Sequence, residues 1–137
     1  MKPPKGTLTP AQYEILEVAW SRLPEGATVA EIWQAISSSR AIARTTVLNL
    51  VDRLERRGWL VRHEGSGAHR YKAAFGREKT AALLAKGFVD DFFGGSATNL
   101  VTSLLGSKRL TGDEIVKLRG LLAAVASKDP DRGGKEK

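Results

Sequence analysis

Between Ala43 and Gly58 the chain carries side chains suited to one task, holding and reading a polyanion. Arg44, Thr45, Asn49, Arg53, Arg56 and Arg57 bring short hydrogen-bonding groups and guanidinium groups to the same stretch. Guanidinium groups bind phosphate strongly, and short polar side chains fit the edges of bases. Interleaved with them, Val47, Leu50, Val51 and Leu54 recur at the i, i+3, i+4, i+7 spacing of one helical face. Core would claim that face and leave the polar ones outside. Thr46 and Asn49 stand three apart, on one side of such a helix, as groove-facing residues must. Arg56 and Arg57 come at its C-terminal end. The stretch is expected to be a helix that reads DNA in the major groove.

The flanking segments are those that would hold such a helix. Gly58 stops it, and Trp59–Glu64, a Gly65-Ser66-Gly67 turn and Ala68–Lys72 read as a β-hairpin. In that hairpin Leu60, Tyr71 and Ala73 are expected to face inward, with Arg62 and Arg70 facing outward as candidate DNA contacts. His63 and His69 flank the turn. As a pair across a hairpin they could hold a metal, but no cysteine or third histidine completes a site. Surface or phosphate-contacting histidines fit better, and no metal is expected. Upstream, Thr9-Pro10-Ala11-Gln12 and Thr28-Val29-Ala30-Glu31 are capping boxes, each opening a helix. The first carries Ile15, Leu16, Ala19 and Trp20, and ends before Leu23-Pro24-Glu25-Gly26. The second carries Val29, Ile32, Trp33 and Ile36, and ends in Ser37-Ser38-Ser39. Three helices with short connections, the third basic and followed by a hairpin, predict a winged helix-turn-helix over residues 8–75.

Beyond Phe75 the pattern changes to apolar stripes. Arg77–Phe93 carries Leu83, Leu84, Phe88, Val89, Phe92 and Phe93 before Gly94-Gly95 breaks it. Ser96 or Thr98 restarts a short helix with Leu100, Val101, Leu104 and Leu105. A third capping box, Thr111–Glu114, opens a last helix with Ile115, Leu118, Leu121, Leu122 and Val125. Three amphipathic helices with little to bury against predict a dimerisation domain over residues 76–126. Leu84, Phe88, Phe92, Leu100, Leu104, Leu118 and Leu122 are its candidate contacts. The alternative is a monomer in which these helices fold back on the winged helix. Residues 1–7 and 127–137 read as disordered tails. The predicted fold class is therefore mainly α with a small β-hairpin wing.

Composition narrows the function. The chain has 137 residues, 42% of them hydrophobic, which is enough for a packed core. The net charge is +7, which favours a polyanionic partner without naming one. Residues 40–72 hold eight Arg and Lys against three acids, a net +5, so the excess sits where DNA contact is expected. A merely solvated basic face is the bland reading, and the coincident helix-hairpin pattern argues against it. With no cysteine, disulfides and thiolate metal sites are excluded. No long apolar run suggests a signal peptide or a membrane span, so a cytoplasmic protein is the expectation. No nucleophile motif, phosphate loop or paired carboxylate in an apolar setting points to an enzyme, and no cofactor is expected; Asp90-Asp91 reads as a solvated helix face. A scaffold whose basic face binds acidic protein or RNA would instead show no preference among duplex DNAs.

Several stretches together resemble one family. They are Leu8–Leu16, Arg44-Thr45-Thr46-Val47, Val51–Leu60, Phe92-Phe93-Gly94-Gly95 and Leu110–Leu118. From about residue 7 to 126 the chain is similar, in order and spacing, to the penicillinase-repressor (BlaI/MecI-like) family of bacterial regulators. The resemblance implies an N-terminal winged helix, a helical dimerisation domain and a homodimer that represses from a palindromic operator. By matching position it implies that Thr45, Thr46 and Asn49 approach base edges and that Arg44 and Arg53 approach phosphates. Asparagine can pair with adenine in a bidentate way, and a threonine methyl can pack on a thymine methyl. Leu48 stands where some relatives carry a polar residue, so operator sequence does not transfer. The resemblance further implies an antibiotic or cell-wall stress response, and a sensor membrane metalloprotease as partner. Ser103-Leu104 stands nearest the Asn-Phe pair at which antibiotic-responsive members are cleaved, a departure from that pair. Copper sensing, as in the similar CopY-type repressors, needs a cysteine cluster that this chain lacks. A ligand-sensing winged-helix regulator of another family, with the Phe-rich helix lining a pocket, is the competing expectation.

Overall fold

Two helices begin where the sequence supplies acceptors for their first amides. The Gln12 amide N–H donates to Thr9 Oγ1 at 3.1 Å, and the Thr9 N–H donates to Gln12 Oε1 at 2.9 Å, opening α1 (Pro10–Ser21). Thr28 and Glu31 make the same reciprocal pair at 3.1 Å and open α2 (Val29–Ser37). Each box satisfies two amides that a helix end would otherwise leave orphaned. The computed structural model describes Pro4, residues 7–65 and residues 67–128; the tails expected at 1–7 and 127–137 fall mostly outside them, as does Ser66 of the hairpin turn.

Helix α3 (Arg44–Arg56) ends in a Schellman turn. Gly58 has φ +89°, its N–H donates to Glu55 O, and the Trp59 N–H donates to Leu54 O. Leu54 and Trp59 are both buried, which gives the turn its apolar contact. The chain then enters β1 (Leu60–His63), paired antiparallel with β2 (Arg70–Ala73). The core lies between the three helices and this hairpin. It is built from Ile15, Leu16 and Ala19 of α1, Ile32 and Ile36 of α2, Val47, Val51 and Leu54 of α3, and Trp59, Leu60 and Tyr71. The chain thus forms a winged helix-turn-helix.

The register corrects the expected facing of the hairpin. Arg62 lies opposite Tyr71, two residues from Leu60, so the strand's period of two puts it on the same face as Leu60 and Tyr71. It stays exposed because the strand has passed the edge of the core there, and its guanidinium lies 3.4 Å from Glu55 of α3. His63 lies opposite Arg70, so the two histidines are not cross-strand partners.

A further pairing was not visible in the residue pattern. Ala27 bridges to Tyr71 through two backbone hydrogen bonds, 3.0 Å from its N–H and 2.8 Å to its carbonyl, adding a one-residue third strand. Arg70 secures the same junction: its Nη1 donates to Gly26 O at 3.1 Å and to Glu31 Oε1 at 3.2 Å. Glu31 thus caps α2 and tethers the wing with one carboxylate. Its pKa is lowered, first by the backbone hydrogen bond at Thr28, against a desolvation penalty, and then by the charges of Arg70 and Arg22.

By contact the chain divides into two units, Met1–Gly95 and Ser96–Lys137. Helix α4 (Arg77–Phe92) belongs to the first. Trp20 Nε1 donates to Phe75 O at 3.0 Å, the Arg77 guanidinium stacks 4.7 Å from the Trp20 ring, and Thr80 is buried. In the second unit Ser96 caps α5 (Ala97–Gly106), and the Thr111–Glu114 box opens α6 (Gly112–Lys128). No residue of 96–126 is buried. Among the described residues, no helix is long and apolar enough to cross a membrane.

Two outcomes follow from the α2–wing junction. Gly26 has φ +87°, and a Cβ there would lie 2.7 Å from Tyr71 O. Gly26→Ala should therefore lose at least about 2 kcal/mol in urea unfolding, since left-handed strain alone costs about 1–2 kcal/mol. Glu31→Gln keeps a capping oxygen but removes the charge. A carboxylate held below its ordinary value of 4.5 stabilises above that pH and loses its contribution as pH falls further. The variant should be less stable than wild type at pH 7, and the gap should close below about pH 4.5 in thermal melts across pH.

Candidate nucleic-acid interface

The interface is set by the rotation of α3 about its axis. Val47, Val51 and Leu54 are completely buried, and Leu50 is half-buried. Once that face is committed, residues 45, 48, 49 and 52, which share the i, i+3, i+4, i+7 spacing, fall on the opposite side. Thr45, Leu48 and Asn49 are exposed there, with the Asp52 side chain half-exposed. Thr46 and Arg53 are exposed along one flank of this stripe. Thr45, Thr46 and Asn49 therefore share the outward part of the helix. Leu48 joins them, a residue outside the nine polar and basic candidates.

Trp33 fixes where the helix starts. Its Nε1 donates to Ile42 O at 2.9 Å, which pins the α2–α3 connection, and the Arg44 guanidinium lies 5.4 Å from its ring. Unlike α1 and α2, α3 begins at Ala43 with no side-chain cap. Its first amides are left for another acceptor, as suits a helix end that meets a phosphate.

The arginines divide by what already holds them. Arg53 is exposed and has no ion pair among the described residues. Arg56 pairs with Asp52 one turn back at 3.0 Å, and Arg62 pairs with Glu55. Exposed pairs of this kind contribute about 0–1 kcal/mol, so a phosphate can compete for either arginine cheaply. Arg57 Nη2 donates to Thr7 O at 2.7 Å. Arg70 is the most tied, with Gly26 O and Glu31 both at hydrogen-bond distance. Sequence alone set Thr45, Thr46 and Asn49 toward bases and Arg44, Arg53, Arg56 and Arg57 toward the backbone, with Arg62 and Arg70 outward on the wing. The structure brings Arg44, Thr45, Thr46, Asn49, Arg53 and Arg56 together on α3 and makes Arg70 a tether of the wing. His63 and His69 are exposed at the hairpin end. Among the described residues no three His, Cys, Asp or Glu side chains gather as metal ligands.

The candidate dimer contacts are placed unevenly. Leu84 packs half-buried against the winged-helix core, as does Leu83. On the same helix Phe92 is 67% exposed, and its ring lies 5.2 Å from that of Phe88, which is also exposed. Leu100 and Leu104 on α5 and Leu118 on α6 are half-buried. Leu122 is 63% exposed, alongside Leu121, Val125 and Val116. Val116 was not in the expected stripe.

Comparison with known proteins is consistent with this geometry. The family model described as penicillinase repressor matches residues 8–124. The chain is 29% identical to the transcriptional regulator BlaI of Mycobacterium tuberculosis over 112 residues, 81% of this chain and 79% of that one. It is 21% identical to the penicillinase repressor of Staphylococcus aureus over 118 residues, 86% of this chain and 92% of that one. With the methicillin resistance regulatory protein MecI of Mammaliicoccus sciuri it shares 23% identity over 115 residues, 84% and 92% of the two chains.

Proposed function

The chain belongs to the penicillinase repressor family, and we propose that it is a sequence-specific transcriptional repressor that binds a palindromic operator as a homodimer. The observation that carries this is the exposed side of α3, where Thr45 and Asn49 stand opposite the buried face, with Thr46 and Arg53 beside them. On DNA, Thr45, Thr46 and Asn49 meet base edges in the major groove. Arg44, Arg53, Arg56 and Arg57 meet the backbone, with Arg62 beside the wing. Phosphate contacts dominate affinity and base contacts set specificity.

The second copy is argued from apolar surface. Phe88 and Phe92 on α4 and Leu122 on α6 are exposed in a single chain. Covering such surface is worth roughly 25 cal/mol per Å² of apolar area. With Leu100, Leu104 and Leu118 they form the dimer contact. Two-fold symmetry then sets two α3 helices about 34–36 Å apart, one DNA turn, in successive major grooves. Repression is occlusion of the promoter. It ends when dimerisation or DNA affinity is lost.

The proposed setting is an antibiotic or cell-wall stress response, with a sensor membrane metalloprotease as the partner that ends repression. The Ser103–Leu104 bond lies inside α5, and Ser103 is exposed. A protease needs the chain extended. A helix with no buried residue can open locally at low cost.

Asn49→Ala should weaken binding to the cognate site by about 1–3 kcal/mol and relax the base preference at one position per half-site. Arg53→Ala should instead weaken all sequences alike and lower the salt slope by about one. Anisotropy titrations at several salt concentrations separate the two behaviours, and equal loss from both variants on every sequence would remove α3 from the reading role. Separately, Leu122→Asp should shift sedimentation from dimer to monomer while the winged-helix melting transition survives. A variant that remains dimeric would remove α6 from the dimer contact.

A further inference from the structure

Leu48 is out of place for an ordinary surface. Among the described residues, the large apolar side chains left exposed are Leu23 in the α1–α2 turn, a group on α4–α6, and Leu48. Leu48 is 49% exposed and is absent from the core and from the residues packed against it. It sits on the outward stripe of α3, three residues after Thr45 and four before Asp52, with Arg44 one turn before it. A leucine in that position can neither hydrogen-bond a base edge nor attract a phosphate. The major groove offers one apolar group, the 5-methyl of thymine.

We propose that Leu48 is a specificity-determining residue that packs on a thymine 5-methyl group in each half-site. This rests on the DNA-reading role of α3 argued above. The surroundings favour this occupant. Arg44 at the uncapped helix start and Arg53 and Arg56 further along draw a polyanion to this side of the helix. Thr45 and Asn49 present hydrogen-bonding groups on the same stripe. The contact selects thymine over cytosine by shape and hydrophobicity.

The test uses the full chain and duplexes that it selects from a randomised library. Each thymine of the selected site is replaced in turn by uracil, which deletes the methyl and leaves base pairing intact. One symmetric pair of thymines should respond, with wild-type affinity falling about fourfold per half-site and about fifteen-fold for both, the worth of one buried methyl group each. Leu48→Ala should bind the thymine duplex more weakly by a similar factor and be indifferent to uracil at that pair. Leu48→Met, still apolar, should regain the sensitivity. Equal melting temperatures of the variants confirm that each folds. A wild type indifferent to uracil everywhere, a Leu48→Ala variant that keeps the full uracil penalty, or one whose dimer equilibrium shifts instead would each overturn the assignment. Enrichment of a site without a uracil-sensitive pair coupled to Leu48 defeats this inference alone. Failure to enrich any sequence defeats the DNA-reading role, and this inference with it.

Discussion

Everything at the interface depends on the burial of one face of α3. Val47, Val51 and Leu54 are fully removed from water, each worth about 1.5–3 kcal/mol of hydrophobic stabilisation. That energy holds the rotation of the helix, because turning it would bring apolar side chains out and Thr45 or Asn49 in. The polar side needs no interaction of its own to stay outward. It is outward because the other side cannot be. The Schellman turn at Gly58 adds to this by carrying Trp59 straight into the same core.

Charge is distributed with a second constraint. A basic surface that binds DNA repels itself in the free protein, and this chain offsets part of that repulsion with acids placed among the arginines. Asp52 and Glu55 lie on α3 itself and hold Arg56 and Arg62. These pairs are exposed, so they order the side chains without locking them. The Glu31–Arg70 pair is of another kind. It joins a helix start to a strand, and the same strand is held by the Ala27–Tyr71 bridge. The wing's position relative to α2 is thus fixed by backbone and side chain together.

Local chemistry was the most legible part of the sequence. The capping boxes at Thr9, Thr28 and Thr111 form as read, because each is complete within four residues and needs nothing distant. The glycine stop at Gly58 and the buried face of α3 follow from the same kind of short-range pattern. Pairings between distant residues were not legible. Nothing in Gly26-Ala27 announces a bridge to Tyr71, and nothing in Glu31 names Arg70 as its partner. Arg62 reaches solvent as its outward placement requires, but it does so from the face that Leu60 and Tyr71 share. The strand keeps its alternation and meets solvent by running past the core.

Sequence by itself determined which segments become helices, where they start and stop, which side of α3 is apolar, and that the basic excess lies there. These are properties of spacing and of side chains within a turn or two, so they survive without knowledge of the fold. Tertiary structure alone decided which acids hold Arg56 and Arg62, that Arg70 serves the scaffold, and that Leu48 is left in the open beside Thr45 and Asn49. Those outcomes depend on what the rest of the chain brings alongside each residue. Leu48 shows the difference plainly. Its hydrophobicity would assign it to a core, but the three buried residues beside it had already turned it outward.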